Sequence, residues 1–84
     1  MDFEIELVEI LLPVRAVQED PNEEPEYVFR EVTLHPGKFV IVDEDLGKIA
    51  IQPRGWRSDI RFWVDKEELT NKSLFFKLNK RRFS

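Results

Sequence analysis

Lys38–Asp65 reads KFVIVDEDLGKIAIQPRGWRSDIRFWVD, and in it strand, turn and strand signals follow one another without a break. Phe39-Val40-Ile41-Val42 is a continuous run of the β-branched and aromatic residues that fit a pleated surface. Asp43-Glu44-Asp45-Leu46-Gly47 supplies a loop, with Gly47 free to take the positive φ that closes such turns. Beyond it, Ile49 and Ile51 point one way while Lys48, Ala50 and Gln52 point the other. A second turn around Pro53 and Gly55 leads to Ile60, Phe62 and Val64, which alternate with Arg61, Trp63 and Asp65. That period of two is the mark of a half-buried strand.

The alternation extends to both sides of this stretch. Phe3, Ile5 and Leu7 share one parity, and Val8, Ile10, Leu12 and Val14 share the other. The slip predicts a β-bulge, or a strand bending from one sheet into another. The rival is an amphipathic helix capped by Asp2 and stopped by Pro13, which leaves Phe3, Ile5 and Leu12 poorly placed. Tyr27–Leu34 has β-type residues, with Arg30 on the parity of Val28, Val32 and Leu34, so either the strand is bulged or Arg30 leans out at a rim. His35-Pro36-Gly37-Lys38 predicts a type II turn with Gly37 at positive φ. Lys66-Glu67-Glu68-Leu69 predicts one helical turn with Leu69 tucked inward. Leu74, Phe76 and Leu78 then alternate with Phe75, Lys77 and Asn79 in a last strand.

The expectation is therefore an all-β domain spanning 1–84. It would have five to six short antiparallel strands in a small barrel or a two-sheet sandwich, with one helical turn near Lys66–Leu69. A helical turn between the last two strands resembles SH3-like barrels, over roughly Thr33–Asn79, as a likeness of architecture and not of motif. Residues 18–26, with Pro21, Pro25 and five carboxylates, read as a mobile acidic loop, and 80–84 as a basic tail.

The totals set the bounds. Eighty-four residues, 42% hydrophobic with ten aromatics, make one packed core and a small one. A chain this short buries only about 60% of its extended surface. There is no cysteine, which excludes disulfides, thiolate catalysis and Cys-based metal sites and fits a reducing, cytoplasmic location. No apolar run is long enough for a membrane-spanning helix, and Met1-Asp2-Phe3-Glu4 lacks the basic leader of a secretory signal. The net charge of −4 is unevenly spread. Residues 1–31 hold ten acids against Arg15 and Arg30, while residues 32–84 hold eleven bases against seven acids. Such a split is either a solvated surface or a polar molecule able to steer a charged partner.

Catalytic patterns are thin. His35, the only histidine, sits beside a turn proline, and Ser58, Ser73 and Ser84 have no context that would activate them. Asp43, Glu44 and Asp45 lack the spacing of a calcium loop, and three glycines make no phosphate loop. Scattered carboxylates such as Glu67 and Glu68 offer no arrangement. The reading is a non-enzymatic domain without cofactor or metal.

Two surfaces carry the functional expectation. Pro53–Asp59 sets Trp56 between Arg54 and Arg57, residue types that anchor interfaces and also stack on bases. The competing role for Trp56 is a lid folded back on the core. If Ile60, Phe62 and Val64 face inward, Arg61 and Trp63 face out. If Leu74, Phe76 and Leu78 face inward, Phe75 and Lys77 face out. Adjacent strands would then join Arg61, Trp63, Phe75 and Lys77 into an aromatic–basic patch, unless the N-terminal segment covers it. The first expectation is a protein-binding adaptor or inhibitor, with the acidic segment steering the partner or mimicking nucleic acid in a basic cleft. The alternative is nucleic-acid binding through the basic half, which the net charge opposes.

Overall fold

The computed structural model describes the backbone of residues 2–21, 28–55 and 59–81, and side chains within 5–21, 29–55 and 59–77. The chain is all-β over these residues. Its strands are β1 (Asp2–Ile10), β2 (Val14–Asp20), β3 (Val28–Leu34), β4 (Gly37–Asp45), β5 (Lys48–Pro53), β6 (Arg61–Asp65) and β7 (Ser73–Arg81). They form one antiparallel sheet in the order β3-β2-β6-β5-β4-β1-β7. Seven strands in one sheet replace the expected five to six and the two-sheet alternative. The extra count comes from the N-terminal third, which forms β1 and β2 around a corner at Leu11-Leu12-Pro13.

Two short connections show that this sheet is rolled. β1 and β2 lie four strand positions apart, as do β3 and β4. In a flat sheet that lateral separation is about 19 Å. The four steps from Ile10 to Val14 span at most about 14 Å, and the three from Leu34 to Gly37 about 11 Å. The sheet must curl for the chain to make these joins. Curling brings Val8 and Ile10 of β1 into one buried cluster with Val14, Ala16, Leu34, Phe39, Ile49, Ile51, Phe62 and Val64. The edges β3 and β7 pair with no further strand among the described residues.

Leu69 closes this cluster from the connection between β6 and β7. There the Glu68, Leu69 and Thr70 N–H groups donate to the carbonyls of Asp65, Lys66 and Glu67, three residues back in each case. This tight helical turn agrees with the sequence reading, including the inward Leu69. The same segment anchors the β1–β2 corner, because the Lys72 carbonyl accepts the Leu11 N–H at 2.7 Å.

The parity slip in β1 has a different cause from those expected. β1 pairs with β7 through nine consecutive residues, Asp2↔Arg81 to Ile10↔Ser73, with no bulge and no passage into a second sheet. Val8 and Ile10 belong to the core cluster, while Leu7, on the other face, is also only 1% exposed. A strand buried on both faces has apolar residues on both parities. The one register shift lies in β4 between Ile41 and Asp43, where Val42 is the extra residue.

Other expectations are revised. Gly37 does not sit at positive φ but begins β4 opposite Ile10, so the connection His35-Pro36 is not the predicted type II turn. Asp43–Asp45 belong to β4, and the hairpin loop shrinks to Leu46-Gly47, both at positive φ. β2 continues through Gln18, Glu19 and Asp20, which pair with Arg30, Phe29 and Val28, so these three are strand and not loop; residues 22–26 of the expected acidic loop lie outside the described residues. β3 pairs with β2 in unbroken register, so Arg30 is at a rim and not on a bulge. Lys80 and Arg81 extend β7 because Phe3 and Asp2 pair with them.

Candidate functional site

Residues opposite one another in a sheet share a face, so pairing assigns each side chain to the core face or the other face. On β6, Phe62 and Val64 belong to the core, and Arg61, Trp63 and Asp65 lie opposite. Val17 of β2 and Ala50 of β5 flank Trp63, while Glu19 flanks Arg61 and Lys48 flanks Asp65. On β3, Glu31 and Thr33 continue the face beside Val17 and Arg15. Ala50 has no exposed surface, so the smallest side chain of β5 lies beside the largest of β6.

The outcome is a groove of about 730 Å³ over β3, β2, β6 and β5. Trp63 and Val17 form its apolar floor, Arg15 and Lys48 its cations, and Glu31, Asp65 and Glu68 its anions. Trp63 is half-buried, and its indole N–H donates to Glu19 Oε1 at 2.6 Å. That bond satisfies the ring's one polar atom and fixes its plane. At the rim, Glu68 Oε1 accepts the Arg15 backbone N–H and the Lys72 ammonium, each at 3.3 Å. These bonds to the charged form, that from the Arg15 backbone first, hold the Glu68 carboxyl below its ordinary value.

The expected aromatic–basic patch is not assembled. β6 and β7 are separated by β5, β4 and β1. Phe75 pairs with Val8 and therefore shares the core face, as does Lys77 through Glu6, opposite in sense to Arg61 and Trp63. Alternation identified two faces of β7 but not which one was inward; β1, through its pairing, decides that. Phe76, expected inward, lies half-buried beside Leu7 on the other face. Arg61 faces Asp43 at 3.4 Å, Lys77 faces Glu6 at 3.9 Å, and Arg54 is exposed just beyond β5. Trp56 and Arg57 lie outside the described residues, so neither role for Trp56 is decided.

Of the expected residues that the structure describes, only Trp63 lines the groove. Arg15, Val17, Glu31, Lys48, Asp65 and Glu68 had no local signal, because they meet through pairings such as Val17↔Trp63 between remote strands. Among the described residues, no group of three or more His, Cys, Asp or Glu is placed to hold a metal ion. His35 is exposed, and the Ser73 hydroxyl donates to the Leu69 carbonyl at 2.9 Å, a structural bond. No helix among the described residues is long and apolar enough to cross a membrane. Comparison with protein-family models, curated proteins and solved structures finds no match to this chain.

Proposed function

We infer that the chain is a non-catalytic module that binds another protein in the Trp63 groove. The observation that carries this reading is a tryptophan set in the floor of a broad groove whose rim presents both signs of charge. Tryptophan is enriched among the residues that dominate binding energy, and fixing its ring in advance lowers the entropy lost on association. A rim of Arg15, Lys48, Glu31 and Asp65 suits a polar protein surface better than a single-sign polymer. The helical turn before the last strand gives the rolled sheet a likeness to SH3-like barrels, scaffolds suited to presenting such a groove. A cytoplasmic location is part of the same proposal.

The nucleic-acid alternative draws less support. Arg61, Lys66, Lys72 and Lys77 lie against Asp43, Glu44, Glu68 and Glu6 respectively, so these cations are not gathered into one phosphate-tracking surface.

The test places a photo-crosslinking residue at Thr33 in the groove, with Asp59 as a control position outside it, in the native host. A discrete protein adduct should form from position 33 only. Lys48→Glu and Glu31→Lys should weaken it several-fold without unfolding the domain, since both residues are exposed. Equal labelling from both positions, or an adduct indifferent to both charge reversals, would sink the proposal. An oligonucleotide adduct from position 33 would replace it with the alternative.

A further inference from the structure

The outer edge of β7, which pairs with no further strand among the described residues, is a second surface, independent of the groove. Edge strands ordinarily carry charges, prolines or bulges that discourage further pairing. The opposite edge, β3, has Arg30 and Glu31 at its middle. β7 is different. Ser73-Leu74-Phe75-Phe76 has no charge and no proline, and the unbroken register with β1 leaves no bulge. Leu74 is 55% exposed and Phe75 54%. The first charge, Lys77, faces back toward Glu6 of β1. At the start of the strand, the exposed Leu11 and Leu12 extend the apolar surface, since both their N–H groups donate to the Lys72 carbonyl.

We propose that β7 pairs antiparallel with β7 of a second copy, with the two-fold axis at Phe75. The charges that flank Ser73–Phe76 are already balanced locally, Lys72 by Glu68 and Lys77 by Glu6. Neither an acidic nor a basic segment therefore gains much, and an uncharged apolar strand fits best. The segment Ser73–Phe76 of another copy is such a strand. Pairing on a common face requires opposite residues of equal parity, so the axis must pass through a residue. At Phe75, the two Phe75 side chains meet, Leu74 meets Phe76 of the second copy, and Lys77 meets Ser73. An axis at Lys77 would set two ammonium groups opposite each other, which is unfavourable.

Sedimentation of the purified chain over roughly three decades of concentration should show a monomer–dimer equilibrium that persists in about 1 M salt, where exposed charge pairs are screened. Phe75→Lys and Phe75→Glu should each weaken self-association at least tenfold, and mixing the two variants should restore a dimer, because residue 75 faces its own counterpart. In the parent protein, amide exchange of Ser73–Lys77 should slow as concentration rises, while that of β3 stays constant. This reading needs no variant. A chain monomeric throughout the range overturns the proposal. So does a dimer that Phe75→Lys leaves intact, or one whose protection falls on β3.

Discussion

Leu46 is 93% exposed and adopts φ +48°, the left-handed region, ahead of Gly47 at +78°. With Asp45 paired to Lys48, these two residues form a type I′ loop, whose twist suits the flanking strands and whose preferred sequence is Asn-Gly. Leucine gains nothing there from burial and bears the steric cost of the left-handed region. Leu46→Asn should raise stability by about 0.5–1 kcal/mol, seen as a melting temperature roughly 3–6 °C higher. A variant that melts at or below the parent temperature would contradict this account. Asn71, at φ +62°, is the contrasting case, a residue type that tolerates the conformation. Gly47 and the hairpin were legible in the sequence; the loop's length was not. It depends on how far β4 and β5 pair, and Asp43-Glu44-Asp45 read as loop only because carboxylates are rare in buried strands.

At the scale of elements, the helical turn between β6 and β7 is the joint where several segments meet. Leu69 reaches the core, Lys72 receives the β1–β2 corner, and Glu68 receives the Arg15 N–H of β2. The lowered Glu68 pKa gives this joint a pH signature. In the unfolded chain the group titrates near its ordinary 4.5, and in the folded chain lower. The unfolded state therefore binds more protons between the two values, so the Glu68 contribution is present above 4.5 and fades as pH falls through the folded value. Glu68→Gln should remove that component, and the difference in melting temperature between parent and variant should shrink as pH falls from about 5 to 3. A difference that stays constant over that interval would assign the carboxylate no role through its charge. The turn and its inward leucine were readable from a four-residue segment. Its link to Arg15 was not, because 53 residues separate the partners.

At the scale of the whole molecule, β1 joins β4 to β7, and β6 joins β2 to β5. Residues near the two ends of the chain, such as Asp2 and Arg81, pair directly. The sheet therefore completes only when distant segments meet, and each such closure costs chain entropy before its contacts form. Refolding should be slow for a domain of this size, in the millisecond-to-second range typical of non-local β topologies. Stopped-flow tryptophan fluorescence checks this, and a microsecond relaxation would contradict it. The rolled shape follows from the same order, as do the groove on one face and the place of β7 at the side.

The all-β class, the β4–β5 hairpin, the shared face of Ile49 with Ile51 and of Phe62 with Val64, and the inward Leu69 were determined by the sequence alone. Alternation, turn residues and chain breaks act over a few residues, so local chemistry suffices to specify them. The tertiary structure alone decided which strands are neighbours. That set the face to which Phe75 and Lys77 belong, and it placed Trp63 with Arg15, Glu31 and Lys48 while leaving Arg61 beside Asp43. A period of two marks two faces without saying which is buried. Only pairing to a strand whose burial is known, as β7 to Val8 of β1, breaks that symmetry.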